Sequence, residues 1–148
     1  MVRINTPRFL LAALAYTVFA FILHLVGALL TMSYYLDPAY FPVWSKIMMP
    51  TAGPPPISFS VYSLILGFIA ALLFTYFYLK IRPLFKGNSR ARRGIIYGVG
   101  VFLIGGLPGF SMLWLLINLP LLLIIDWAIE GLIANVVGGV LVAYLLQE

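Results

Sequence analysis

Long apolar runs separated by short polar stretches divide the chain into four segments, at about 9–31, 58–79, 94–116 and 119–146. Each is near the ~20 residues that carry a helix across a bilayer. The pattern predicts an all-α integral membrane protein: a four-transmembrane-helix bundle in which residues 1–148 form a single membrane domain.

Inside the segments, the exceptions to the apolar rule are ordered. In the first, small or polar residues recur at Ala13, Thr17, Ala20, His24, Gly27 and Thr31. That spacing alternates four and three, as a seam facing another helix requires. His24 should therefore point into the bundle and away from lipid.

The third segment carries Gly98 and Gly100, then Gly105-Gly106-Leu107-Pro108-Gly109. Pro108 lacks a backbone donor and leaves the Ile104 carbonyl without its usual partner. Within a bilayer such a carbonyl needs a partner from protein or water. Gly105, Gly106, Pro108 and Gly109 thus mark a helix break, either a packing kink or a cavity wall. The Gly-x-Gly pair has no strand before it and is not a nucleotide fingerprint.

In the fourth segment Asp126 and Glu130 stand one turn apart on one face. Gly131, Asn135, Gly138 and Val142 form a second seam about 100° round the helix. Ala134 and Gly138 make a small-xxx-small contact.

The connections are unequal. SYYLDPAYFPVWSKIMMPTAGPPP, between the first two segments, is the longest. Its Tyr34, Tyr35, Tyr40, Phe41 and Trp44 suit a membrane–water interface, and PVWSKIMM is expected to form a short interfacial helix. The third and fourth segments are almost continuous. With Asn118 as N-cap and Pro120 in the first turn, they should be tight antiparallel neighbours.

Composition agrees with this plan. The chain is 64% hydrophobic and 9% charged, outside the soluble globular range. It has no cysteine, which removes disulfides, thiolate ligands and cysteine nucleophiles. Arg3 and Arg8 resemble the n-region of a signal peptide. The apolar run after them is too long for an h-region and lacks an A-x-A site, so it reads as a retained helix.

Charge sets an expected orientation. Of nine basic residues, only Lys46 lies in the first connection. Arg3 and Arg8 precede the first segment, while Lys80, Arg82, Lys86, Arg90, Arg92 and Arg93 sit between the second and third. By the positive-inside rule both termini and the middle loop are cytoplasmic, N-in/C-in, in a prokaryotic-type inner membrane. The Lys80–Arg93 loop is then expected to meet anionic lipid headgroups, not nucleic acid. Trp44, Trp114 and Trp127 all fall on the opposite, outer side, as interfacial residues should.

Depth brings the chemistry together. Counted at 1.5 Å per residue, His24, Glu130 and the Gly105–Gly109 break lie at similar depth. An ionised carboxylate there costs roughly 3 kcal/mol. His24 as a cation, Lys46 folding in, a bound cation, or protonation would each compensate it. The expected site is an outward-opening polar pocket. Glu130 is its ion or proton carrier, His24 the partner and Asp126 the entrance. Asn135 and Ser111 complete it, and Ser58, Ser60, Tyr62 and Ser63 either line it or cap the second helix. Any metal would be held by His24, Asp126 and Glu130. Met32, Met48, Met49 and Met112 with His24 are a softer set suited to copper, although methionine also serves as adaptable filler.

No cofactor is indicated, and neither a Ser–His–acid set, a phosphate loop nor HExxH is present. The leading expectation is a small polytopic protein binding a proton, cation or small polar ligand, as an oligomeric transporter or channel. It would assemble as a homo-oligomer or with a partner membrane subunit. One alternative is a structural or accessory subunit of a larger complex. The other is a membrane enzyme acting on a lipid-soluble substrate.

Overall fold

The structure, a computed structural model, describes residues 5–51, 53–85 and 89–146; Arg3 and Lys86 lie outside the described residues. Its long helices are α1 (Thr6–Leu30), α3 (Ile57–Ile81) and α6 (Leu121–Leu145), plus a third span made of α4 (Arg90–Val101) and α5 (Leu107–Leu116). Four helices are thus long and apolar enough to cross a membrane, the build of an integral membrane protein.

Local signals start and stop these helices. The Asn5 side chain accepts from Arg8 N–H at the head of α1, and Ser89 Oγ does the same for Arg92 N–H at α4. Each satisfies a donor that the first turn leaves open. At the end of α1, Thr31 N–H and Oγ both donate to the Gly27 carbonyl. The α6 helix begins later than expected. Pro120, not Asn118, is its N-cap, extended at φ −56° and ψ 130°. The Pro120 carbonyl accepts from Leu123 and Ile124 N–H.

The glycine-rich break is a π-turn. Phe102–Gly106 widens the helix by one residue, and Leu107 N–H bonds the Phe102 carbonyl five residues back. Pro108 then enters the first turn of α5, where a missing N–H is least costly. The third span bulges but remains helical.

In the first connection, helical turns come earlier than expected. A short α2 (Met32–Leu36) is followed by a 3-10 turn at Pro38–Val43, opened by Asp37 Oδ1 accepting from Ala39 N–H. Most of Pro42–Met49, expected as one helix, is a turn held by Ser45 against Met48 and Met49. Trp44 breaks the run by leaving in an extended conformation, φ −74° and ψ 140°.

Packing fixes which helices are neighbours. The α4 and α6 backbones meet directly: a Cβ on Gly94 would lie 2.6 Å from the Gly139 carbonyl oxygen, and one on Gly98 would overlap the Asn135 carbonyl. These spans are close antiparallel partners, as the short connection implied. The α1 seam buries Ala12, Ala13, Thr17 and Gly27 as the helix packs on α6 and α3. At the end carrying Arg82 and Arg93, here the basic end, Tyr97 packs on Phe74 and Tyr78 at ring centroid distances of 4.5 and 5.3 Å. Tyr97 also donates to the Phe74 carbonyl at 2.6 Å. Apart from these rings, α3 and the third span make little direct contact.

Candidate functional site: a cleft between the spans

The separation of α3 from the third span leaves a cavity of about 1270 Å³. Its α3 wall runs from Phe59 to Ile81, about 33 Å at helical rise. Phe21, Leu64, Phe74, Ile104 and Phe110 make most of the surface apolar. The π-turn contributes Ile104 and Gly105 to that wall, so the bulge shapes the cavity.

A bonded histidine–glutamate pair interrupts the apolar lining. His24 Nδ1 lies 2.6 Å from Glu130 Oε2, linking α1 to α6. The partners are unequally enclosed: the His24 side chain is 54% exposed and that of Glu130 only 9%. Gly27 makes this possible, because a Cβ there would land on Glu130 Oε1. A carboxylate therefore fills space that any other residue on the α1 seam would occupy itself. Glu130 Oε1 has no hydrogen-bond partner among the described residues, and neither does the buried Asp126 Oδ2. Asp126 lies within coulombic reach of Glu130.

A packed aromatic trio stands at the aromatic end, opposite the basic end. Tyr35 lies 5.1 Å from Trp44 and 6.4 Å from Trp127 between ring centroids, and the two tryptophans are 6.3 Å apart. Trp127 Nε1 donates to the Tyr35 hydroxyl at 2.9 Å. Burial pushes the Tyr35 hydroxyl above its ordinary pKa, while bonds from Trp127 and Thr31 draw it back.

Other residues singled out from the sequence divide between the cavity and elsewhere. Asn135 lines it, with its side-chain N–H bonded to the Gly131 carbonyl at 2.7 Å. Ser60 and Ser63 line it too, while Ser58 and Tyr62 face outward. Ser111 is exposed and donates to the Leu107 carbonyl, away from the cavity wall. Pro108 and Gly109 are exposed, and Gly106 instead makes room for the Phe102 ring. Lys46 is exposed and does not fold in. Met32 and Met48 reach the cavity, Met49 is buried, and Met112 is 57% exposed, so the four are not gathered. Among the described residues, no group of three His, Cys, Asp or Glu side chains could hold a metal ion.

Sequence reasoning missed two features. Gly27 was legible as part of a seam, but not as the seat of a carboxylate. The Tyr35–Trp127 bond joins residues 92 positions apart, and only their shared interfacial character hinted at it.

The pair's chemistry follows from its geometry. When the shared proton sits on Nδ1 and is donated to Glu130, the imidazole is held in one tautomer with Nε2 bare. The carboxylate then orients the ring, and the exposed side of the ring meets whatever occupies the cleft. Comparison with protein-family models, curated proteins and solved structures finds no match to the chain.

Proposed function

We propose that the protein binds a small lipid-soluble ligand in this intramembrane cleft, with His24 as the group that meets the ligand and exchanges a proton. Glu130 is its positioning residue. One observation carries the reading: a half-exposed histidine is held at 2.6 Å by a buried glutamate on the wall of a large apolar cavity. Sequence reasoning gave Glu130 the carrier role. Exposure favours the reverse, because the His24 ring meets the cavity far more fully than the Glu130 carboxyl does.

The energetics support the pair as a unit. Removing one partner of a hydrogen bond to a buried carboxyl leaves the other unsatisfied and costs about 1–3 kcal/mol; the exposure of His24 reduces that. A double-mutant cycle of Glu130→Gln and His24→Ala should therefore show coupling of roughly 0.5–3 kcal/mol in unfolding. Nitrogen NMR of the His24 ring should find the proton on Nδ1. Additive effects together with a proton on Nε2 would remove the pair and the reading with it.

Orientation belongs to the same proposal. Eight of the nine basic residues lie at the termini-bearing end or in the Lys80–Arg93 loop, which supports a cytoplasmic basic end facing anionic headgroups. The cleft's aromatic end then faces outward. Ser45→Cys and Ser89→Cys should label from opposite sides of intact cells. Labelling from one side overturns the orientation and leaves the cleft chemistry untouched.

A further inference from the structure

We infer that the cleft's ligand is a long-tailed lipid with an uncharged, hydroxyl-bearing head, which hydrogen-bonds to His24 Nε2 while its tail lies along α3. This rests on the cleft reading above and names the ligand class.

Shape argues for a chain. The α3 wall extends from Phe59 to Ile81, about the length of a membrane-spanning helix. At the ~30 Å³ of a water-sized unit, the cavity's 1270 Å³ takes on the order of forty methylene-sized groups. A metal ion or small polar solute would leave nearly all of that apolar space unfilled.

Depth argues for an uncharged head. His24 is six residues from the aromatic end of α1 and Glu130 nine from that of α6, roughly 9 and 14 Å inward. A phosphate or carboxylate head would leave its water at that depth and meet the acids Asp126 and Glu130. An anionic lipid is therefore disfavoured twice.

Access argues for a hydroxyl over a cation. One oxygen of each acid, Glu130 Oε1 and Asp126 Oδ2, is enclosed by protein, Glu130 Oε2 is taken by His24, and Asp126 is not on the cavity wall. Oε1 is seated against Gly27. The group a ligand can reach is the His24 ring. With Nδ1 occupied by Glu130, Nε2 is the ring atom left to a ligand, and a hydroxyl, which both donates and accepts, complements it in either tautomer. Ser60 and Ser63, on the cleft's α3 wall, add hydroxyls suited to the same head.

The test uses Trp127, which lies on the cavity wall. In a Trp44→Phe/Trp114→Phe background it is the sole emitter of the chain's three tryptophans. The protein is placed in phosphatidylcholine vesicles doped with a brominated long-chain isoprenoid alcohol or with phosphatidylcholine carrying the same bromines. The alcohol should half-quench Trp127 at a mole fraction about tenfold below the phospholipid. His24→Ala should reduce that preference roughly five- to tenfold, the loss of one hydrogen bond. Gly67→Phe should abolish it by filling the cleft, since a Cβ at Gly67 meets only Thr17 at 3.8 Å. Equal quenching by both lipids, or an alcohol preference unchanged in His24→Ala, overturns the inference.

Should the tryptophan variants fail to fold, mass spectrometry of the wild-type protein from native membranes replaces them. Enrichment of a hydroxyl-headed lipid supports the assignment, and phospholipid alone overturns it. Displacement of radiolabelled alcohol separates the two sources of this chemistry. An isoprenoid quinol that displaces it at lower mole fraction is the ligand, and one that does not leaves a non-redox alcohol. If no hydroxyl lipid binds while His24 and Glu130 remain coupled, only the ligand class falls. Loss of that coupling removes the underlying reading.

Discussion

Two glycine-lined contacts on α6 show how one residue type serves opposite ends. At the crossing with α4, Gly94 and Gly98 let backbone meet backbone at Gly139 and Asn135. At the crossing with α1, Gly27 instead admits the Glu130 carboxylate. The first contact is closed, with no side chain to adjust. The second is filled by a flexible acidic side chain that opens, through His24, onto a cavity. Small residues in membrane helices lower the approach distance, but what enters the space decides whether the contact is structural or chemical.

The difference is sharpest in how each contact should respond to a larger residue. Gly98→Val puts its Cβ into the Asn135 carbonyl, and main chain cannot turn aside. Overpacking usually costs 1–3 kcal/mol; with backbone as the obstacle, the loss should reach about 3 kcal/mol or more. Reversible unfolding in detergent should show this as failure to recover folded protein. A Gly98→Val protein with wild-type stability would mean that the α4–α6 crossing is not the close contact described.

Gly27→Ala should do less damage to the fold and more to the site. The obstacle is a side chain that can swing away, at the expense of the 2.6 Å pair. The expected loss is about 2 kcal/mol, below that for a fully enclosed pair because His24 is half exposed. Coupling between His24 and Glu130 should vanish in the Gly27→Ala background. If the coupling survives there, Gly27 is an ordinary packing glycine and the contrast with Gly98 collapses.

The same contrast explains what the sequence could reveal. The four spans follow from hydropathy alone, with ends within a few residues of those observed, whereas the Asn118 cap and the Pro42–Met49 helix were misplaced. His24 turned inward because its seam repeats at helical spacing, and the scarcity of other partners pointed it at Glu130. Asp126 and Ser111 were less legible. Asp126 shares a face with Glu130 and acts on it as a neighbouring acid but does not line the cavity, and Ser111 is satisfied by its own helix. Periodicity says which face a residue takes, not which neighbour reaches it. The π-turn was hidden for a related reason: Pro108 announces a disturbance but not its place, and at Phe102–Gly106 the rings of Phe102 and Phe110 lie beside Gly106 and Gly131. The parting of α3 from the third span, which creates the cavity, has no local signal.

The smallest expected effect lies at the aromatic trio, where the polar side of the comparison meets its edge. Tyr35→Phe keeps the ring against Trp44 and Trp127 but removes the acceptor for Trp127 Nε1. One such bond contributes about 1 kcal/mol. Its pH dependence has a definite sign. Burial, with Glu130 and Asp126 nearby, holds the Tyr35 hydroxyl in its protonated form, opposed by bonds from Trp127 and Thr31. The folded pKa therefore lies above the unfolded value of about 10. The folded state binds more protons in that window, and Tyr35's contribution is complete below about pH 10 and declines as pH rises toward the folded value. Phenylalanine cannot titrate, so the stability gap between wild type and Tyr35→Phe should be constant near neutrality and narrow above about pH 10. Equilibrium unfolding of both proteins from about pH 8 to about pH 11 measures that gap. A gap that stays constant across the range would mean that the Tyr35 hydroxyl is open to water.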